Sequence, residues 1–108
     1  MIPINRGILS TIYVKGNGAL MHKALKKYYK NENFVKINKL GEVSKISDVI
    51  GSNICKISIL QHTKKNYVII TSVIDNLIKG ASGQAVQNMN LIFNLPQELG
   101  LDQHSIWP

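Results

Sequence analysis

The length, composition and charge of the chain set the first limits on what it can be. Its 108 residues leave room for one domain, and 44% hydrophobic with 18% charged residues is typical of a globular chain, not a disordered one. A single cysteine excludes an internal disulfide, and no apolar run approaches the roughly 18 residues of a membrane span. The amino terminus has no signal-peptide pattern, so the expected location is the cytoplasm, away from membranes.

The net charge of +7 suggests an anionic partner, but the distribution of the lysines weakens that suggestion. The lysines are spread along the chain, and Arg6 is the single arginine. Nucleic-acid readers rely heavily on arginine, which pairs with guanine edges. A solvated lysine-rich surface is therefore favoured first, an anionic small-molecule site second, and nucleic acid is not expected as a partner.

The first half of the chain predicts a strand, a helix and a second strand. Residues 8–14 are β-branched and aromatic, as in a strand, and the glycines around Asn17 end it. Apolar residues then recur at helical spacing over residues 19–30, with Asn17 as N-cap and lysines on the solvent side. Residues 34–38 alternate between apolar and polar, which predicts a half-buried strand.

The second half predicts a hairpin followed by a helix. Residues 41–53 are polar, with one helical turn expected around Asp48. Two runs of β-formers, residues 55–60 and 67–74, flank a turn at residues 63–66 and predict an antiparallel hairpin. Ala81, Ala85 and Met89 are four residues apart and predict a helix that ends before Pro96. The order β-α-β-β-β-α predicts an α+β fold, with helices packed on an antiparallel or mixed sheet.

Two glycines at the start of the last helix, Gly80 and Gly83, have two possible explanations. Glycine inside a helix costs up to about 1 kcal/mol relative to alanine. A ligand or another backbone that comes close would justify small residues there. A plain helix entry packed against the sheet would explain them equally well.

The segment from residue 74 to residue 93, IDNLIKGASGQAVQNMNLIF, resembles the final helix region of the N-acetyl-gamma-glutamyl-phosphate reductases. Three further stretches resemble the same family in the same order. They are residues 3–14 (PINRGILSTIYV), Tyr29 with Phe34 and Val35, and residues 51–53 (GSN) followed by Cys55. The resemblance covers the whole chain.

The resemblance implies a two-domain enzyme of the aspartate-semialdehyde dehydrogenase type, with a glyceraldehyde-3-phosphate dehydrogenase-like C-terminal domain. Such an enzyme reduces N-acetyl-glutamyl 5-phosphate to the semialdehyde in arginine biosynthesis, with NADPH as hydride donor and a cysteine thioester as intermediate. Residues 1–108 would be a single domain, the C-terminal part. The expected partners are the N-terminal nucleotide-binding half, further copies of the chain and the acyl phosphate substrate.

The residues that would do the chemistry are not expected in this chain. The family's glycine-rich loop, nucleophilic cysteine and catalytic histidine all lie in motifs that the sequence lacks. Cys55 falls in a different, strand-like motif and is interpreted as a small buried residue. The three histidines have no metal-ligand spacing and are interpreted as structural or surface residues: His22, His62 and His104. No catalytic residue and no metal site is predicted.

The resemblance implies a few binding residues. Asn76 matches the asparagine that approaches the nicotinamide carboxamide in such dehydrogenases. The other residues on the cofactor side, at a helix start suited to an anionic dinucleotide, would be Lys79, Gly80, Ser82, Gly83 and Gln84. Arg6 could pair with the acidic substrate, and a salt bridge at a domain junction is the equal alternative. Lys79 could also be one more surface lysine.

Three functions remain open at this stage. The first is a part of the reductase that is inactive by itself. The second is a non-catalytic dimerisation or interaction module derived from that enzyme. The third is a small basic nucleic-acid binder, whose affinity would depend steeply on salt concentration.

Overall fold

A computed structural model describes residues 4–63 and 66–106, and within them the predicted order of elements is confirmed. The strands are β1 (Ile8–Lys15), β2 (Val35–Ile37), β3 (Cys55–Gln61) and β4 (Tyr67–Ile74). The helices are α1 (Gly18–Tyr28) and α2 (Gly83–Ile92), with a 3₁₀ turn (Ile46–Asp48) before β3 and a π-helical turn (Ile78–Ser82) before α2. Pro3 of the first motif and two residues of the predicted turn, Lys64 and Lys65, lie outside the described residues.

The four strands form one mixed sheet in the order β1-β4-β3-β2. Strand β4 is antiparallel to β1 and to β3, so the predicted hairpin is confirmed, whereas β2 runs parallel to β3. The parallel pair is possible because the long segment 38–54, which includes the 3₁₀ turn, carries the chain back to the same end of the sheet. Strand β1 is an edge strand, paired along its length from Ile8–Ile74 to Lys15–Tyr67.

Helix α1 begins as the sequence predicts and covers only part of one sheet face. The side-chain oxygen of Asn17 accepts a hydrogen bond from the Leu20 backbone N–H at 3.1 Å, which satisfies one free donor of the first turn. Gly18 is buried, and a Cβ placed there would lie 3.9 Å from Cγ2 of Ile59 on β3. The helix therefore lies on the Ile59 face of the sheet and leaves β1 uncovered.

The apolar stripe that predicts α2 is exposed in the structure. Met89 is 46% exposed and Ile92 75% exposed, while the buried residues of the helix are Gly83, Gln87 and Asn90. The Asn90 side chain donates to the backbone oxygens of Gln97 and Leu99, which the chain places beside it after the helix. Polar side chains thus face the domain because hydrogen-bond partners satisfy them there. Neither helix, among the described residues, is long and apolar enough to cross a membrane.

Candidate functional site

The sheet brings the two ends of the predicted site together. Ile8 pairs with Ile74, so the residues before β1 and the residues after β4 meet at one end of the antiparallel pair. We call this meeting point the junction and define it as residues 5–7, 50–53 and 75–78. Arg6 and Asn76, two predicted site residues that are far apart in sequence, both lie in it.

Asp75 is the centre of the junction, although the sequence did not single it out. Its side chain is fully buried, and its carboxylate accepts four N–H bonds. One oxygen accepts from the Arg6 guanidinium and from the Gly51 backbone N–H at 2.8 Å. The other accepts from the backbone N–H groups of Leu77 at 2.8 Å and Ile78 at 3.3 Å. The aspartate therefore starts the π-helical turn and anchors two other segments to it.

The surroundings of Asp75 keep it ionised. Burial by itself raises the pKa of this carboxyl, because it disfavours the charged form. The N–H donors of Gly51 and Leu77 and the guanidinium of Arg6 oppose that effect, and the net result is a pKa below the ordinary value. The junction thus contains a buried carboxylate with a complete set of donors.

Arg6 forms a salt bridge within the chain, whereas the sequence suggested one at a domain junction as the alternative to substrate binding. Its guanidinium pairs with Asp75, and a third of its side chain remains exposed. The exposed part lines a cavity of about 410 Å³ that is otherwise largely apolar, with walls that include Ile4, Ile46 and Ile50. The Nε atom of Arg6 is buried and makes no hydrogen bond to the described residues. Arg6 is therefore fixed in orientation at the edge of an open cavity.

The Asn76 amide is held at both ends by the segment before β1. Its side-chain oxygen accepts from the Gly7 backbone N–H at 2.7 Å, and its nitrogen donates to the Asn5 carbonyl at 3.4 Å. The first bond is short and the second is long. The nitrogen end of the amide is therefore the end that could more easily change partner.

Lys79 is half-buried, unlike the exposed lysines of α1. Its ammonium donates to the Gln87 side chain at 2.7 Å and lies 5.3 Å from the centre of the Phe34 ring. Burial lowers the pKa of Lys79 below its ordinary value. Gln87 also accepts from the Asn53 amide at 3.1 Å, so Lys79 belongs to a polar network on the buried side of α2.

The remaining predicted residues lie on and just after the π-helical turn. The Gly80 N–H donates to the Asp75 carbonyl, and the Ser82 hydroxyl donates to the Leu77 carbonyl at 2.8 Å. The Gln84 side chain donates to the Asn88 side chain, one turn further along α2, at 2.8 Å. Isolated π turns are often retained at functional sites.

Comparison with known proteins decides the family. Residues 1–76 match the family model described as semialdehyde dehydrogenase, dimerisation domain. This chain belongs to that family. It is 46% identical over its whole length to an N-acetyl-gamma-glutamyl-phosphate reductase of Staphylococcus saprophyticus and 43% identical to one of Staphylococcus aureus strain Mu3.

The dimerisation domain spans about a third of the length of these curated relatives and matches their C-terminal part. The relatives align with the last helix as well, which lies beyond the family model. The resemblance drawn from residues 74–93 is therefore confirmed.

Cys55, His22 and His62 have structural surroundings. Cys55 is half-buried on β3, with its sulfur 3.3 Å from the Ser72 hydroxyl. A His22 ring nitrogen lies 2.8 Å from the Asn38 carbonyl, and the His62 ring packs edge-on to Tyr13 and Tyr67. Among residues 4–63 and 66–106, no cluster of three histidine, cysteine, aspartate or glutamate side chains could hold a metal ion.

Gly83, and not Gly80, is required by packing in this dimerisation domain. A Cβ on Gly83 would lie 2.5 Å from the Asn53 side-chain oxygen and 2.9 Å from the Ile78 carbonyl, whereas a Cβ on Gly80 would meet nothing closer than 3.5 Å. We expect Gly83→Ala to lower the free energy of unfolding by about 1–3 kcal/mol, as overpacking does. Gly80→Ala, the matched control, should change it by less than about 1 kcal/mol. Urea denaturation of both variants checks this, and equal effects would contradict it.

Proposed function

We propose that this chain is the dimerisation and substrate domain of a cytoplasmic NADPH-dependent reductase that converts N-acetyl-glutamyl 5-phosphate to the 5-semialdehyde in arginine biosynthesis. The observation that carries the proposal is 46% identity to such a reductase over the whole chain. The junction supports it, because Arg6 is held by an ion pair at the edge of an open cavity and the Asn76 amide is bonded to the residues on either side of Arg6. The nucleotide-binding loop, the nucleophile and the catalytic histidine come from the part of the enzyme that this chain does not match.

The exposed side of α2 supports docking of that other part. Ile92 is 75% exposed and Phe93 68% exposed, at a position where the described residues provide nothing to cover them. Apolar surfaces of this kind mark interaction sites. The chain matches about a third of the length of these relatives. The remaining two-thirds or so of such an enzyme, in the same polypeptide, would cover this face.

A second copy of the chain is the proposed partner of the sheet. Leu9 is 53% exposed and Tyr13 63% exposed on β1, and both point to the face opposite α1. A sheet face that two copies share can bury these side chains around a twofold axis. The family description, a dimerisation domain, agrees with self-association.

The proposed binding roles come from the family resemblance, and the geometry of the junction is compatible with those of Asn76 and Arg6. Asn76 would turn the nitrogen end of its amide to the nicotinamide and give up the long bond to Asn5. The other proposed cofactor-side residues, on and just after the π-helical turn, are Lys79, Gly80, Ser82, Gly83 and Gln84. Arg6 would orient the acidic substrate at the cavity edge. Its charge is partly offset by Asp75, so it would contribute direction more than long-range attraction.

A chimera tests the proposed function. The amino-terminal two-thirds of the S. saprophyticus relative, joined to this chain in place of its own last third, should oxidise NADPH with N-acetyl-glutamyl phosphate. The 108-residue chain alone should not, because its sequence contains no glycine-rich loop and no nucleophile motif. Cys55→Ser is the control and should leave the chimera active.

Two outcomes would contradict the proposal in different ways. A chimera that folds and associates but does not turn over would favour the alternative, a non-catalytic dimerisation or interaction module derived from the enzyme. Turnover by the chain alone, lost in Cys55→Ala, would show that the chemistry lies in this domain after all.

A further inference from the structure

Asp75 ties together three segments that the sequence keeps far apart. The Arg6 guanidinium is 69 residues away and the Gly51 N–H is 24 residues away, and both donate to the same carboxylate oxygen. The other oxygen holds the N–H groups of Leu77 and Ile78. No other described carboxylate is both fully buried and bonded to three separate parts of the chain in this way.

The next residue repeats the connection. Asn76 accepts from the N–H of Gly7, the neighbour of Arg6, at 2.7 Å. Two adjacent residues after β4 therefore hold two adjacent residues before β1. The Arg6–Asp75 bond joins the residues that precede Gly7 and Asn76 in the two segments. Loss of the Arg6–Asp75 bond should therefore loosen the Gly7–Asn76 bond.

We propose that Asp75 is a positioning residue, which sets the orientation of the Asn76 amide and of the Arg6 guanidinium by holding the junction as one unit. Asp75 has no contact with bulk solvent, so it does not touch the ligands itself. It acts through the side chains of Asn76 and Arg6, which have the proposed ligand contacts. This inference deepens the proposed function and rests on it for the roles of Asn76 and Arg6.

Amide hydrogen exchange in the 108-residue chain tests the coupling without any activity. In the unaltered chain the amides of Gly7, Gly51 and Leu77 should exchange with one common opening constant, although only the last two donate to Asp75. In Asp75→Asn, exchange at Gly7 should rise at least tenfold more than exchange in the centre of β4. Asp48→Asn, which removes a carboxylate paired with Lys56 at the surface, is the control and should leave Gly7 unchanged.

The exchange result decides the coupling even if Asp75→Asn does not fold. Opening constants for Gly7 and Gly51 that differ by more than about tenfold in the unaltered chain would overturn the proposal. So would a Gly7 amide that follows only the global stability loss in a folded Asp75→Asn chain. A common constant that is larger than the opening constant in the centre of β4 supports it.

A double-mutant cycle in the chimera tests the functional consequence. Asp75→Asn and Asn76→Ala should each raise KM for NADPH. The KM of the double variant should be no higher than that of the more impaired single variant, because both substitutions act through the same amide. Effects that multiply would mean that Asp75 stabilises the fold without positioning Asn76, and would overturn the proposal. An inactive unaltered chimera would instead contradict the proposed function, and the exchange experiment would still decide the coupling.

Discussion

Replacement of Arg6 by methionine is expected to lower the free energy of unfolding by about 3–5 kcal/mol, the cost of leaving one partner of a buried ion pair uncompensated. Asp75 is fully buried, and the guanidinium is the one cation among the donors that it accepts from. The loss would be a large fraction of the whole free energy of unfolding, which is about 5–15 kcal/mol for domains of this size. Urea denaturation measures it directly.

Lys56→Met is the matched control for Arg6→Met. Lys56 pairs with Asp48 at 2.9 Å, but both side chains are at least a quarter accessible to solvent, at 25% and 29%. Exposed pairs are worth about 0–1 kcal/mol, because water screens them and two long side chains lose freedom. Similar losses for the two variants would show that the Asp75 carboxylate is stabilised by its backbone donors alone, and would leave Arg6 available for the substrate role proposed above.

Acid gives a second readout of the same pair. The pKa of Asp75 is lower in the folded chain than its ordinary value of 3.8. A depressed pKa contributes stability that is complete above the unfolded pKa and is lost as pH falls through the folded pKa. The stability of the unaltered chain should therefore fall below about pH 4. Arg6→Met should reduce this dependence, because it removes one cause of the low pKa.

The sequence predicted the elements of this domain well because their signals are local. Asn17 and its partner Leu20 lie within one helical turn, and the run of β-formers from Tyr67 to Ile74 matches β4 residue for residue. The pattern also located α2, but it does not show which face of the helix points inward. Periodicity follows apolar residues, whereas the inward side of this helix is polar and is bonded to the segment after it through Asn90.

The candidate site was only partly predictable. Asn76 and Arg6 came from the family resemblance, and the structure brings them together, but nothing local links them. Asp75 was missed because its role depends on donors 24 and 69 residues away, which sheet pairing alone brings near. A local signal did exist: an aspartate directly after a strand commonly accepts from the N–H groups two and three residues later. This interpretation of Asp75 would also have located the start of the π-helical turn.

Self-association should be the most visible property of the isolated chain. Strand β1 is exposed on both faces, and side chains such as Leu9 and Tyr13 would lose contact with water in a shared sheet interface. We expect a dimer or a larger species in sedimentation velocity at micromolar concentration. The pair Leu9→Lys and Tyr13→Lys should halve the mass of a dimer to that of a monomer, because it places four like charges across the twofold axis.

The pair Ile92→Lys and Phe93→Lys is the matched control, since it adds the same charge to the exposed side of α2. It should leave the dimer intact in the isolated chain. In the chimera, the α2 pair should have the larger effect on activity and should abolish it, because it prevents the amino-terminal part from docking. The β1 pair should act mainly on the oligomeric state. A monomer in the unaltered chain at high concentration would contradict the sheet interface. Dissociation by the α2 pair alone would show that copies associate through the helix, and that the β1 edge is covered by something else.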